Sequence, residues 1–203
     1  MAIVMRALVM GALFGMLATP EQGIAGRLTS VEVTEAATLP AIRPNWPIPD
    51  EPNQLFYLQR SSNKNTIIYT TVFDANGNLR ASAPGQAYWR RYNTTGERKA
   101  LKPIEWRFAY GLNIKKRPEP GEYTVTLKPL PELPMILRQT GPGQAELLVR
   151  IGNKMVRPVY AFVTIDESGL IPKVTDISLH GIDPASGRAV SEFFTVTGGA
   201  INQ

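Results

Sequence analysis

The chain has 203 residues, a net charge of +5, 43% hydrophobic residues and no cysteine. That length and apolar content can supply the core of one domain without disulfide staples. A single histidine, no cysteine and no carboxylates clustered at ligand spacing exclude a zinc centre and leave no metal or other cofactor expected.

The N-terminus reads as a signal peptide over residues 1–26. Arg6 supplies the positive start, residues 7–18 are an uncharged apolar run, and the small residues Gly23, Ala25 and Gly26 offer a cleavage site. The run is about twelve residues, short of the roughly twenty that span a bilayer. A buried core helix and a retained anchor are the competing readings. Arg6 and Glu21 cancel, so the mature chain keeps its modest positive charge. The chain also lacks a cysteine for lipid attachment. An exported protein without disulfides is expected in the bacterial periplasm or medium.

Residues 27–53 read as a linker. Pro40, Pro44, Pro47, Pro49 and Pro52 force extended chain and block helix and ladder pairing. Ile42, Trp46 and Ile48 lie in this stretch and need apolar cover, so a tail wrapped on the domain and a free tail both stay open.

From residue 54 to 203 the pattern is that of a mostly β domain. Leu55 to Arg60 and Thr66 to Phe73 are rich in apolar, β-branched and aromatic residues. Asn76-Gly77 predicts a hairpin into an alternating run at Leu79, Ala81 and Ala83. Gln86 to Tyr92 is the next strand. Tyr123, Val125 and Leu127 alternate with polar residues, the period of a half-buried strand. Met135 to Arg138, Ala145 to Ile151, Met155 to Ile165, Lys173 to Ile182 and Arg188 to Val196 complete the series. Pro158 marks an edge or a bulge. One helix of about two turns is expected, with Pro103 in its first turn, Gly111 at its stop, and an apolar stripe of Leu101, Ile104 and Phe108. About eight to ten short strands predict a single antiparallel β-barrel or β-sandwich, with a meander slightly favoured by the C-terminal hairpins.

Catalytic patterns are weak. Asp176, Ser178 and His180 share a strand face, but same-face neighbours stand about 7 Å apart, and serine rather than histidine occupies the middle. Asp74 to Asn78 departs from a calcium loop at the positions that need glycine and glutamate. Tyr88 to Lys102 interleaves aromatic residues with Arg90, Arg91, Arg98, Lys99 and Lys102. Such a pattern can stack on nucleic acid. In an exported chain no nucleic-acid partner is expected, and anionic glycans or lipid head groups fit better. Arg60-Ser61-Ser62-Asn63-Lys64-Asn65 is a dense polar cluster between two apolar strands. Its asparagines and serines can order a tight connection, and Arg60 and Lys64 can hold a carboxylate or phosphate.

With Tyr69, this cluster gives R-S-x-N-K-N-x-x-x-Y. Together with Tyr88-Trp89 and Glu105 to Gly111 it resembles the domain-of-unknown-function family numbered 4833, over about residues 54 to 111. The resemblance implies an exported bacterial β-rich domain and brings no catalytic roles. It marks Arg60, Asn63, Lys64, Asn65, Tyr69, Tyr88, Trp89, Glu105 and Tyr110 as motif positions. The expected function is a non-catalytic binding module for a small anionic or amphipathic ligand, with Arg60 and Lys64 as anchors and Tyr69, Trp89 and Tyr110 as walls. A structural or envelope-interaction protein is the alternative, and an envelope hydrolase using Glu105 as base is the third. A deep cavity at the motif would favour the first, and a solid core with Arg60 paired to Glu105 the second.

Overall fold

The computed structural model describes residues 27–41, 43, 45–168 and 173–197. The expected signal peptide lies outside them. Twelve strands form one curled sheet, a half-barrel. They are β1 (Arg27–Ala36), β2 (Gln54–Arg60), β3 (Asn63–Thr71), β4 (Gly85–Arg90), β5 (Arg98–Ala100), β6 (Leu112–Lys116), β7 (Glu122–Leu127), β8 (Leu130–Gly141), β9 (Gln144–Ile151), β10 (Lys154–Asp166), β11 (Lys173–Ile182) and β12 (Ala189–Thr197). The neighbours run β5-β4-β3-β2-β10-β9-β8-β7-β6, and β11, β12 and β1 continue from β10.

Pairing is antiparallel except between β2 and β10, where Tyr57 to Arg60 run parallel to Tyr160 to Val163. Strand β10 does two jobs. Its first three residues pair with β9, from Arg157 it pairs with β11, and beyond Pro158, where the register slips, it pairs with β2 as well. Proline lacks the ladder donor, so a bulge forms there and the strand turns from one part of the sheet into the other. Further on, the 73–79 turn is fixed by Asp74, whose Oδ1 accepts from the main-chain N–H of Asn76 and Asn78, each at 2.9 Å. The hairpin expected after it is only one bridge, Phe73 to Leu79, because the chain then leaves the sheet and Ala81 and Ala83 are exposed.

The inner face carries the main core: Phe56 and Leu58 of β2, Ile67 and Tyr69 of β3, Trp89 of β4, Val125, Leu137 and Val149 opposite, and Ile177 and Val190. Tyr57, Ile68, Tyr88 and Tyr160 form a second cluster on the outer face. The proline-rich chain covers it. Leu39 packs on this cluster, Trp46 meets Phe162 at 6.1 Å, and Gln59 donates to the Pro47 carbonyl at 3.0 Å. Tyr160 donates to the Pro40 carbonyl, and Glu51 takes Arg90 and Tyr88.

The stretch 27–53 therefore differs from an extended linker throughout. Its first ten residues are β1, paired along β12 from Arg27↔Thr197 to Ala36↔Ala189. Only beyond Ala36 do the prolines preclude a ladder, and there the chain becomes a strap. Trp46 finds its apolar cover, whereas Ile48 stays 80% exposed, and Ile42 is outside the described residues.

The helix also differs from expectation. One α-turn, α1 (Pro103–Glu105), runs into a π-turn at Trp106–Tyr110. The wider π-turn changes which side chains face the sheet. Leu101, Trp106 and Tyr110 pack on the core, while Ile104 and Phe108 are 66% and 52% exposed. Gly111 does end the element, but through close approach. A Cβ there would lie 1.9 Å from the Trp106 carbonyl oxygen.

Among the described residues no helix is long and apolar enough to cross a membrane.

Candidate functional site

The β2–β3 hairpin places the polar cluster at one end of the half-barrel. Arg60 and Asn63 are paired across a tight turn of Ser61 and Ser62. Ser61 ties that turn to β10. Its N–H donates to the Val163 carbonyl at 2.9 Å, and its Oγ accepts from Ile165 N–H at 2.8 Å. Asn63 Oδ1 accepts from Asn65 N–H at 3.1 Å, a side-chain turn of the kind asparagine favours. Asn65 and Asn93 then clasp the hairpin to the loop after β4. Asn93 N–H donates to Asn65 Oδ1, and Lys64 N–H donates to Asn93 Oδ1, both at 3.1 Å.

Inside the turn the motif aromatics meet. Trp89 is 2% exposed, and its ring packs edge-on to Tyr110 at 5.2 Å. Its indole N–H donates to Glu105 Oε2 at 3.2 Å, and the same oxygen accepts from Lys102 N–H at 2.7 Å. Glu105 thus both caps the helical turn and anchors the indole. Tyr69 is fully buried against Phe56, ring to ring at 4.3 Å, and donates to the Tyr110 carbonyl at 3.2 Å. Burial pushes its hydroxyl pKa up, so it stays a neutral donor.

Arg60 sits on this aromatic floor. Its guanidinium carbon is 4.8 Å from the Trp89 ring centre and 5.9 Å from that of Tyr110. Nη1 donates to the Tyr110 hydroxyl at 3.0 Å and Nη2 to Asn63 Oδ1 at 3.4 Å, while Nε is buried with no partner among the described residues. Arg91, two residues after Trp89 and so on the same side of the chain, brings a second guanidinium to 4.4 Å from the indole. Among the described residues no carboxylate lies within 4 Å of either guanidinium. Arg60 is thus not paired to Glu105.

Arg60, Asn63, Tyr69, Trp89, Glu105 and Tyr110 are therefore brought together, and Asn65 joins them through the hairpin. Lys64 is exposed and joins through its main chain, its N–H donating to Asn93 and its carbonyl accepting from the Thr66 hydroxyl. Tyr88 points to the opposite face of β4, where its hydroxyl meets Glu51 and Arg98 lies 3.7 Å from its ring centre. Alternation along a strand makes that separation from Trp89 unavoidable. Ser61, Arg91 and Asn93 belong to the arrangement although the motif reading did not single them out. Arg91 is detectable from its i+2 spacing to Trp89. Clefts of about 420 and 380 Å³ elsewhere on the domain are lined by other residues.

A family model described as a domain of unknown function, DUF4833, matches residues 56–192, well over half of the chain. The chain belongs to the DUF4833 family. No curated protein and no solved structure matches it. The DUF4833 match begins inside β2 and ends inside β12, so it takes in both ends of the core and leaves out β1 and the strap.

Elsewhere in the DUF4833 domain, His180 is buried on the outer face. Its Nδ1 lies 2.7 Å from Ser191 Oγ, and its ring packs on Tyr160 at 4.3 Å. Desolvation lowers its pKa to about 4, so it is neutral at pH 7. Asp176 instead pairs with its neighbour Thr175. The strand face does not assemble a triad.

Proposed function

We propose that this DUF4833 domain is a non-catalytic binding module for a small anionic ligand, held at the end of the half-barrel by Arg60 and Arg91 and acting outside the cytoplasm once the apolar leader is removed. The observation that carries the reading is two guanidinium groups on one indole with no carboxylate within 4 Å of either among the described residues. Partly buried like charges are costly unless something compensates. Stacking on Trp89 and Tyr110 offsets part of that cost, about 0.5–2 kcal/mol for each contact. Arg60 uses two of a guanidinium's five N–H donors, and the remaining donors can take two oxygens of a phosphate or a carboxylate, the doubly charged phosphate more strongly. The extracytoplasmic part of the proposal rests on the sequence of residues 1–26 and the lack of cysteine.

The test is a calorimetric titration with inorganic phosphate and, separately, with acetate at low salt. Phosphate is expected to bind more tightly than acetate, and Arg91→Gln to weaken it about tenfold, roughly 1.4 kcal/mol. No heat with either anion would overturn the reading. A second reading is favoured by one observation: most motif donors are already bonded within the chain, so the motif serves to knot hairpin, helical turn and β10 together. Under it, Arg91→Gln leaves anion binding at a nonspecific level and Asn63→Ala lowers the melting temperature.

A further inference from the structure

We infer that the cleft beside Glu192 is a second binding site, one for a small organic ammonium ligand with an apolar body. Glu192 lies on the inner face of β12 between Val190 and Phe194, in a row otherwise turned to the core, and is 7% exposed. A carboxylate so placed ordinarily has a cation beside it, because an unpaired buried charge is costly. Here the side chain accepts from the Gly152 N–H at 3.3 Å, and among the described residues no lysine, arginine or histidine nitrogen lies within 4 Å. One neutral N–H does not match the charge of a carboxylate.

The space next to it is suited to a cation that carries apolar surface. Glu192 lines a cleft of about 420 Å³, within the usual range for small-molecule sites. Leu133, Met135, Met155 and Phe194 supply its apolar walls, and the methionines can adapt to an irregular body. Among the described residues Arg150, on the lining, has no salt-bridge partner, whereas Arg117 is already paired to Glu119 and Glu122. The free arginine lets the same cleft take either a simple amine or a zwitterion whose anionic end meets Arg150. The shared chemistry is the ammonium group at Glu192. This site uses none of the residues of the Arg60 platform and has the opposite charge preference, so each stands or falls without the other.

Titration of the full domain with phenethylamine, phenylalanine and phenylpropionate, read by nuclear magnetic resonance shifts of Gly152 N–H and the Met155 methyl, tests it. Phenethylamine is expected to shift both signals in a saturable way and phenylpropionate to leave them unmoved. Phenylalanine binding more tightly than the amine, with the difference removed by Arg150→Gln, identifies a zwitterion. Equal binding identifies a simple amine. Glu192→Gln, nearly isosteric, is expected to weaken the amine at least tenfold. Should that variant fail to fold, Met155→Trp, on the partly exposed wall, is expected to block the same titration by filling the cleft. Phenylpropionate binding as well as the amine, an amine that moves neither signal, or undiminished amine binding in both variants would overturn the inference.

Discussion

The hydroxyl of Tyr69, at the middle of the sheet, donates to the main-chain carbonyl of Tyr110, at the end of the π-turn, across 3.2 Å. This one bond links the rigid centre of the fold to the element that floors Arg60. Tyr69→Phe keeps the ring stack on Phe56 but leaves a carbonyl short of a donor. Loss of a buried bond of this kind costs about 1–2 kcal/mol. Chemical denaturation is expected to show that loss with an unchanged slope, together with weaker anion binding because Tyr110 is less firmly held.

Gly111 is the tightest point of the helical turn. A methyl group there would meet the Trp106 carbonyl at 1.9 Å, which no side-chain rotation relieves. Gly111→Ala is expected to destabilise the domain by about 3 kcal/mol, the upper end of overpacking effects. Near-ultraviolet circular dichroism should change as well, since Trp106 and Trp89 both lean on this turn. An alanine variant of wild-type stability would mean that the π-turn does not form.

Acid stability divides into two windows. His180 is neutral in the folded state, its pKa lowered by desolvation to about 4, whereas an unfolded histidine titrates near 6.5. The unfolded chain therefore binds the extra proton first. Stability falls as pH drops from about 6.5 toward 4, by about 3 kcal/mol, and this contribution levels off below 4. Glu51 acts later. The hydrogen bond from Arg90 holds its pKa below the ordinary carboxylate value, so its contribution is present above the unfolded pKa and is lost as pH falls through the folded one. Denaturation midpoints for His180→Gln are expected to be flat between pH 6.5 and about 4.5, while Glu51→Gln changes only the lower limb. A wild-type profile already flat from 6.5 to 4.5 would contradict the buried neutral histidine.

The strap predicts a mechanical coupling. Glu51 bonds Arg90 on β4, the strand that carries Trp89 one position earlier. Limited proteolysis of Glu51→Gln is expected to cut within residues 37–50 sooner than in wild type while the core fragment resists. Equal cutting rates would show that this ion pair does not hold the strap.

Period two was enough to place the strands whose inner residues are buried. Lys173 to Ile182 is β11, and Tyr123, Val125 and Leu127 are the buried side of β7. It was not enough for β1 or β5. Of the ten residues of β1 only Leu28 and Thr34 are partly covered, and the three of β5 are all exposed, so neither leaves an apolar rhythm. The parallel contact of β2 with β10 joins residues about a hundred positions apart and has no local signature. The helical stripe misled for a different reason. Leu101, Ile104 and Phe108 suit a continuous α-helix, but only Pro103–Glu105 is α-helical, the π-turn breaks the spacing before Phe108, and both Ile104 and Phe108 are exposed. The motif marked most of the site and the i+2 spacing ties Arg91 to Trp89, but that this pair meets Arg60 depends on β4 lying two strands from β2, a fact of topology.

The central claim is that the Arg60 and Arg91 side chains hold an oxyanion over Trp89. Its most direct measurement is the nitrogen-15 shift of the two arginine Nε–H groups and of the Trp89 indole N–H during titration with inorganic phosphate. The account predicts that all three move together along one saturable curve, and that Arg60→Lys abolishes the Trp89 shift while leaving the fold intact. Arginine signals that stay still at phosphate concentrations above those of the salt background would contradict it.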